Sequence, residues 1–454
     1  MNRARIVGGL LFALLSGAAA TLAGLSEPIV WTIAITALTA AFWMTEAIPI
    51  PAASLIPFLA FPLVGVLDEK DAAEALGSFV IILLMASFML SKSLERSGAH
   101  ERLALYMIRL VGTSGRSVIF GFMFAAALLS MWISNSATTL MLSTMALAIL
   151  ARRQDPRLAA PLLLGIAYAS SLGGVGTLIG TPPNLIFADA YEKATGAEFS
   201  FLRWMKVGVP IVVIGVPLMG LWLTRAVKGV TAPSLPEAGP WRKDEARTLL
   251  VFAGAMFFWI TRTEPFGGWS GLFNMPGAGD ATVAVGAVVA MFLIPNGKGG
   301  ALLDWKSAGD IPWGMLLLFA GGICIASAFR ASGLDGLIGD SLAGVATLPV
   351  FLMMLGICLV VTFLTEITSN TATANLLMPV LAAVAVGAGI APELLMIPAV
   401  VSCSCAFMLP VATAPNAIIY ATDQVTIARM AREGFALNLI VAAVVATVSY
   451  LALG

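Results

Sequence analysis

Residues 369–373 read Ser-Asn-Thr-Ala-Thr and interrupt the apolar stretch 347–388. The first half of the chain has a counterpart, because residues 134–138 read Ser-Asn-Ser-Ala-Thr inside the apolar stretch 117–152. The second motif therefore repeats the first at an offset of 235 (370 − 135, counted between the asparagines). Each interrupted stretch, taken alone, fits either one broken membrane span or a hairpin that enters and leaves on the same side.

A second motif pair follows the first in the same order. Residues 180–184 read Gly-Thr-Pro-Pro-Asn, and residues 412–416 read Ala-Thr-Ala-Pro-Asn. The offset between their asparagines is 232 (416 − 184). Two motifs at nearly the same offset predict an internal repeat, and paired interruptions of apolar segments point to a binding site between the two halves.

The composition predicts an all-α polytopic membrane protein. Of the 454 residues, 59% are hydrophobic and 11% are charged, and the mean hydropathy is +0.96. Soluble domains carry roughly 25% charged residues. The long continuous apolar runs indicate spanning helices and not the short alternating strands of a membrane barrel. The formal net charge of zero argues against a nucleic-acid partner.

The distribution of basic residues selects a topology of about eleven transmembrane helices plus two re-entrant helical hairpins. A cytoplasmic N-terminus leaves six of the 25 Lys and Arg residues outside and 19 inside (25 − 6), as the positive-inside rule requires. The outer six are Lys70, Lys193, Arg203, Lys206, Arg262 and Arg330. We expect a multi-pass protein of a bacterial inner membrane, in contact with lipid. The predicted spans are 6–24, 29–46, 51–67, 77–94, 158–189, 205–227, 246–263, 280–295, 311–330, 393–422 and 434–453.

This topology divides the chain into two repeats of opposite orientation. The first repeat, 1–227, has four spans, the hairpin 117–152, the broken span 158–189 and the span 205–227. A cytoplasmic linker, 228–245, joins it to the second repeat. The second repeat, 246–454, has three spans, the hairpin 347–388, the broken span 393–422 and the span 434–453. Since the hairpins open from opposite sides, the repeat is inverted.

The hairpin tips have the chemistry of an anion site. Ser and Asn favour helix N-cap positions, so a helix is predicted to begin at each tip. Its free N–H groups and positive dipole end then face the tip. Asn135 and Asn370 can each donate two hydrogen bonds, and Ser136 and Thr371 can each donate one. Two such tips meeting at the midplane would hold a dianion without an arginine.

The Pro-Asn motifs have the chemistry of sodium sites. Pro182 and Pro415 each remove a backbone donor, so carbonyls upstream lose their helical partners. Unpaired carbonyls are costly in lipid unless they bind something, and sodium prefers oxygen ligands. Packing glue between helices is the alternative interpretation of such Ser, Thr and Asn side chains, but the duplication favours ligand binding. The two candidate sodium sets are Ser130, Ser134, Asn135 and Gly180, and Thr365, Thr368, Asn370 and Ala412.

Few residues are suited to catalysis or to binding a transition metal. The four cysteines lie in apolar stretches, and the only histidine, His100, is expected at a solvated helix end. An enzyme would need a convergent acid, base or metal set, which the sequence does not offer. Glu366 is ionisable at membrane depth, so it is either a functional residue or a structural partner.

These motifs resemble those of the divalent anion–sodium symporter family, over essentially the full length. The resemblance implies a sodium-coupled carrier of a dianion such as succinate, with sodium as coupling ion and no other cofactor. It also implies a homodimer in which a transport domain moves like an elevator against a scaffold. The substrate-binding positions it implies are Ser134, Asn135, Ser136, Thr181, Ser369, Asn370, Thr371 and Thr413.

The chain departs from the family pattern at two positions. Ser136 stands where Thr is expected, which enlarges the substrate side of the first tip by one methyl group, and Ala414 stands where Pro is expected. Two alternatives use the same fold. One is a sodium-independent dicarboxylate exchanger, and the other is a symporter of sulfate or another oxyanion. A channel is a further alternative, although a doubled broken-helix site favours alternating access.

Overall fold

The computed structural model describes residues 3–112, 115–152, 156–227, 239–342 and 349–454. This part of the chain is helical, apart from one isolated β-bridge between Pro295 and Ala301. Eight of its helical stretches are long and apolar enough to cross a membrane. They are Arg3–Leu22, Glu27–Thr45, Glu69–Ser97, Arg157–Gly176, Phe201–Leu223, Trp313–Ser332, Asn370–Gly387 and Ile427–Leu453. The all-helical membrane fold is confirmed, and the count of eleven spans stays a prediction.

Seven flanking helices precede the first motif, and five helices form what we call unit 1. The flanking helices are α1 (Arg3–Leu22), α2 (Glu27–Thr45), α3 (Ile50–Ala53), α4 (Ile56–Val64), α5 (Glu69–Glu74), α6 (Phe79–Ser97) and α7 (Ala99–Val111). Unit 1 comprises α8 (Gly115–Ser130), α9 (Asn135–Arg152), α10 (Pro156–Gly173), α11 (Pro182–Thr195) and α12 (Phe201–Leu223).

The second half follows the same plan, with six flanking helices and then unit 2. The flanking helices are α13 (Lys243–Ile260), α14 (Gly268–Leu272), α15 (Asp280–Leu293), α16 (Trp305–Gly309), α17 (Trp313–Ser332) and α18 (Leu334–Leu342). Unit 2 comprises α19 (Val350–Thr365), α20 (Asn370–Gly387), α21 (Glu393–Cys403), α22 (Ala414–Tyr420) and α23 (Ile427–Leu453). Most of the predicted linker 228–245 lies outside the described residues, and α13 begins within it.

Two expectations differ from the structure. The predicted span 51–67 is not one helix, because Pro57 has no N–H to bond the carbonyl of Ala53 and the chain restarts as α4. His100 is not solvated. Its side chain is buried, and its Nδ1 lies 2.9 Å from the carbonyl oxygen of Leu94, because α7 folds back after Gly98.

Units 1 and 2 interlock, which brings the motif pairs together. Helix α9 packs against α22, and α11 packs against α20. The rings of Tyr168 and Phe407 lie 5.1 Å apart, and Arg203 forms an ion pair with Glu393 at 2.8 Å. Along its apolar length α10 is fully buried, whereas α1 is mostly exposed. The site therefore lies in a central body formed by both units, with α6 and α17 of the flanking helices packed beside it.

Candidate functional site

Both tips are helix starts, as their Ser-Asn pairs predict. Helix α9 begins at Asn135, and the Ser134 hydroxyl caps it by accepting from the Ala137 amide at 3.2 Å. Helix α20 begins at Asn370, with Ser369 in extended conformation at the N-cap. Apart from the Ala137 amide, the first amides of both helices have no partner in the preceding turn, so each tip offers donors and a positive dipole end.

In the first break, an asparagine side chain replaces the missing helical donors. After α10 and a short 3₁₀ turn, Gly174–Gly176, the chain makes a non-helical turn between the extended residues Thr177 and Thr181, and α11 begins at Pro182. The Asn184 Nδ2 donates to the carbonyl oxygens of Gly174 at 3.0 Å and Thr177 at 2.7 Å. The break is thus a fixed structure, and its carbonyls keep defined directions.

The second break uses the same device. The Asn416 Nδ2 donates to the carbonyl oxygens of Ala406 at 3.1 Å and Leu409 at 3.0 Å. All three positions follow their counterparts in the first break at the same offset of 232 (416 − 184, 406 − 174, 409 − 177). The repeat seen in the motifs therefore extends to individual hydrogen bonds.

Each tip is bonded to its own break through a hydroxyl at the end of the preceding helix. In unit 2, the Thr365 Oγ1 donates to Asn370 Oδ1 at 2.7 Å and to the carbonyl oxygen of Cys403 at 3.1 Å. In unit 1, the Asn135 Nδ2 donates to Ser130 Oγ, and the Ser130 hydroxyl donates to the carbonyl oxygen of Ser170 at 2.7 Å. Oxygen atoms from a tip and a break therefore converge in both units.

The Asn135 amide lies inside this group of oxygens. The end of the amide that faces the break is 3.3 Å from the carbonyl oxygens of both Ser170 and Gly180. With nitrogen at that end, the amide donates to both carbonyls. With oxygen at that end, it completes a set made only of acceptors, which is the environment that a cation requires.

The last helix of each unit touches the break through a glycine. A Cβ on Gly208 would collide with the carbonyl oxygen of Val175, and a Cβ on Gly434 would collide with the carbonyl oxygen of Phe407. Val175 and Phe407 are again related by the offset of 232 (407 − 175). Only glycine allows α12 and α23 to approach their breaks this closely.

Both tips and both breaks line one cavity of about 740 Å³. Its wall contains ten of the predicted site residues: Ser134, Asn135, Ser136, Gly180, Thr181, Ser369, Asn370, Thr371, Ala412 and Thr413. Three helices of fourteen residues or more, α9, α11 and α20, begin at this wall. A polar cavity faced by three helix N-termini favours an anion.

The cavity opens towards one end of the bundle. At the start of α6, the Ser78 hydroxyl donates to Asp189 at 3.4 Å. Lys92 lies 14 residues further along α6 (92 − 78), which places it about 21 Å from Ser78, near the other end of the bundle. We call these the Ser78 end and the Lys92 end. Lys92 lines the cavity and pairs with Glu95 at 3.2 Å and Asp310 at 3.6 Å. Asp310 also lines it and its side chain is 86% exposed, so the cavity reaches solvent at the Lys92 end.

Three predicted sodium ligands lie outside the cavity wall. Ser130 and Thr365 are fully buried behind the tips, where they bond the tip asparagines. Thr368 is bonded elsewhere, because its Oγ1 contacts the Leu364 carbonyl oxygen at 2.9 Å and Thr373 Oγ1 at 2.7 Å. The structure therefore joins Ser130 and Thr365 to the oxygen groups and directs the Thr368 hydroxyl to other partners.

Glu366 is a structural partner of the second break. Its Oε1 accepts from the amides of Phe407 at 2.7 Å and Met408 at 2.9 Å, and its Oε2 accepts from Leu409 at 3.0 Å. The Asn438 Nδ2 also donates to Oε1 at 2.8 Å. Four donors compensate the buried carboxylate, which favours the structural role of the two roles that the sequence left open.

Sequence reasoning missed the carbonyl oxygens of Ser170 and Cys403, and also the side chain of Ser171, which lines the cavity. Backbone carbonyls have no residue signature, so the first two could not be found. The serine pair Ser170-Ser171, one residue before the Gly173-Gly174 pair, was a usable signal for Ser171.

Helices that pack around a central polar cavity, with duplicated broken segments, are typical of a membrane transporter. Residues 40–395 match the citrate transporter family. A sodium-dependent dicarboxylate transporter of Staphylococcus saprophyticus is 38% identical over 94% of this chain and 86% of its own length. Its namesake from Staphylococcus aureus is 36% identical over 93% and 85%. The YdaH transporter of Alcanivorax borkumensis has a similar fold, with a TM-score of 0.58 at 16% identity, covering 93% of this chain and 98% of that one.

The chain belongs to the citrate transporter family, which confirms the resemblance to divalent anion–sodium symporters. It is a transporter and not an enzyme. The solved YdaH structure supports the fold alone, because its sequence identity is low.

Proposed function

We propose that this protein carries a small dicarboxylate, with a C4 compound such as succinate as the substrate, by sodium-coupled symport. The observation that carries the proposal is the single cavity on which both Ser-Asn tips and both broken spans converge. The names of the relatives from two staphylococci support the same function.

The dianion would bind between the two tips. Ser134, Asn135 and Ser136 would donate from one side, and Ser369, Asn370 and Thr371 from the other. Thr181 and Thr413 would add hydroxyl groups from the breaks. The dipoles of α9, α11 and α20 would supply positive potential without a fixed cation. Since Ser136 lacks the methyl group of a threonine, the site accepts a dianion of slightly greater width at that tip.

Two sodium ions would bind behind the tips. The first would take oxygens from Ser130, Ser134, Asn135 and Gly180, together with the carbonyl of Ser170. The second would take oxygens from Thr365, Asn370 and Ala412, together with the carbonyl of Cys403. Thr368, which the sequence places in the second sodium set, would bind the second ion only if its hydroxyl broke its hydrogen bond with Thr373. Each tip asparagine would touch both its ion and the substrate, which couples the two binding steps.

Alternating access would move the central body of units 1 and 2 past the flanking helices. In the eleven-span topology, both hairpins are re-entrant, the repeat is inverted and the N-terminus is cytoplasmic. The Lys92 end then faces the cytoplasm of a bacterium, and the cavity is in its inward-open state. The elevator motion and the homodimer belong to this proposal as well.

Uptake of labelled succinate into proteoliposomes tests the proposal. A sodium gradient should accelerate uptake, and a choline gradient should not. Equal uptake in both salts would favour the sodium-independent exchanger, particularly if internal succinate stimulated it. If excess sulfate inhibited the uptake of labelled succinate more strongly than excess unlabelled succinate did, the oxyanion symporter would be favoured.

A further inference from the structure

The segment from the end of α11 to the first residue of α12, residues 189–201, is fastened to the flanking helices at the Ser78 end, and we call it the connector. At the Lys92 end, by contrast, the cavity separates the tips from the flanking residues Lys92 and Asp310. The polar contacts of the connector thus lie at the end of the bundle opposite the cavity mouth.

On one side the connector meets a buried ion pair. Arg262 Nε lies 2.8 Å from Asp280 Oδ1, and the two residues are 6% and 1% exposed. The Phe201 amide donates to Asp280 Oδ2 at 2.8 Å, and Glu198 Oε1 lies 2.8 Å from Arg262 Nη2. Arg262 and Asp280 belong to the flanking helices, whereas Glu198 and Phe201 belong to unit 1.

On the other side the connector meets α6 and α17. Arg330 Nη1 donates to the carbonyl oxygen of Lys193 at 3.0 Å, and Ser78 Oγ donates to Asp189 at 3.4 Å. Lys193 Nζ pairs with Asp189 at 3.0 Å and approaches the carbonyl oxygen of Ile323 at 3.5 Å. Polar groups of both flanking helices therefore hold the end of α11.

The corresponding segment of unit 2, residues 421–433 at the offset of 232, makes no such contacts among the described residues. Its hydrogen bonds stay inside the central body: the Thr422 hydroxyl donates to the Ile419 carbonyl, the Arg429 amide donates to the Thr426 hydroxyl, and Glu433 accepts from Trp222 of α12. The hydrogen bonds of the two breaks repeat, whereas the contacts of the two segments with the flanking helices do not.

We propose that the connector 189–201 and its partners Arg262, Asp280, Arg330 and Ser78 form a clamp that holds the cavity open at the Lys92 end. The inference rests on the proposed alternating access. The clamp must release before the central body can expose the site at the Ser78 end. Opening the clamp takes the Glu198 carboxylate from the buried Arg262 and the Phe201 amide from Asp280, so the clamp favours the present state, and weakening it shifts the population towards the other state.

Cysteine labelling measures that population. The four native cysteines are at most 1% exposed, so a cysteine introduced at the cavity wall dominates the reaction. Met315→Cys places a thiol on that wall. The test variant adds Glu198→Gln and Arg330→Gln, which removes one contact on each side and leaves the buried Arg262–Asp280 pair intact. Purified protein in detergent is treated with a polar maleimide.

We expect the labelling rate to fall by about threefold or more in the test variant, as the cavity closes in part of the population. The matched control is Glu264→Gln. It removes the Lys206–Glu264 pair, which also joins unit 1 to the flanking helices but is more than half exposed on both sides. Its labelling rate should not change. An unchanged rate in the test variant, or an equal fall in the control, would overturn the clamp.

Bridging the clamp tests whether it must open in each cycle. Ala194 of unit 1 and Arg330 of α17 line one small cavity of about 270 Å³ at the Ser78 end. In the variant Ala194→Cys, Arg330→Cys, a reducible bifunctional thiol reagent can join the two sides. The bridged protein should bind succinate in sodium by calorimetry, fail to transport it, and recover transport after reduction.

Transport by the bridged protein at the unbridged rate would make the connector a static attachment and overturn the proposal. Failure of the proposed function looks different. In that case the unmodified protein itself would bind succinate equally in sodium and in choline, whatever the labelling and bridging results.

Discussion

Asn184 and Asn416 occupy equivalent places in the two breaks, and each donates from its side-chain nitrogen to two carbonyls of its own break. The amide thus supplies donors to carbonyls that lose their helical partners where the chain leaves the helix. It also leaves other carbonyls of the break directed towards the tips. A broken helix in lipid is stable only with such substitutes, so these two side chains allow the site to exist at membrane depth.

Replacement of either tip asparagine should abolish transport. Asn135→Ala and Asn370→Ala each remove an oxygen of a sodium set and two donors to the anion. Both variants should still fold, because the cavity wall at the tips is partly exposed. Uptake of succinate in proteoliposomes is the measurement. Asn296→Ala, in a turn that does not line the cavity, is the control and should transport normally. Near-normal uptake by either tip variant would refute the site.

The close approach at the breaks should not tolerate an added methyl group. Gly208→Ala and Gly434→Ala push α12 and α23 away from carbonyl oxygens that they touch. We expect each to lower sodium-dependent uptake by about tenfold or more and to lower the melting temperature, as overpacking typically costs about 1–3 kcal/mol. Gly254→Ala is the matched helical control, since its Cβ meets no atom within 4 Å. Equal behaviour of the three variants would contradict this geometry.

Glu366→Gln should destabilise the second break. The glutamine keeps the shape, but its NH₂ group would face backbone amides that now donate to Glu366. Losing hydrogen bonds to a charged acceptor costs about 1.5–3 kcal/mol each. Thermal unfolding of the purified protein should therefore occur at a clearly lower temperature. The control Glu264→Gln, which changes the exposed ion pair with Lys206, should leave the melting temperature unchanged. A melting temperature for Glu366→Gln that matched this control would refute the anchoring role.

Sodium and succinate should raise each other's affinity. The tip asparagines belong to both sites, and a bound cation adds positive charge beside a dianion in a poorly screened cavity. We expect at least about a tenfold effect, equivalent to roughly 1.4 kcal/mol, and the same factor must appear for sodium when succinate is varied. Calorimetric titration in sodium and then in choline measures it. Equal affinities would support the exchanger instead.

The two termini should lie on opposite sides of the membrane. An odd number of spans and the excess of basic residues in the predicted cytoplasmic loops place the N-terminus inside and the C-terminus outside. Reporter fusions at both ends check this directly. Activity of the same reporter type at both ends would exclude eleven spans, and would leave the interrupted stretches 117–152 and 347–388 to be reassigned.

The repeat could be recognised from the sequence because its chemistry is local. A Ser-Asn pair starts a helix, and a proline interrupts one, whatever the surroundings. Each signal therefore occurs once in each half of the chain and can be recognised there. The structure confirms the helix starts at Asn135 and Asn370. The same local logic failed at His100, since burial there depends on how α7 folds back, and at Pro57, where a continuous apolar run concealed a helix break.

The sequence by itself determined the membrane environment, the two tips and the two breaks, because composition, helix capping and proline act over a few neighbouring residues. Only the tertiary structure decided which oxygens share a site. It places the carbonyls of Ser170 and Cys403 next to the tips. It also directs the Thr368 hydroxyl towards Thr373 and pairs the Glu366 carboxylate with amides of the second break. Most of those contacts join segments far apart in the chain, and backbone carbonyls are identical in every residue, so only the packing of the helices selects among them.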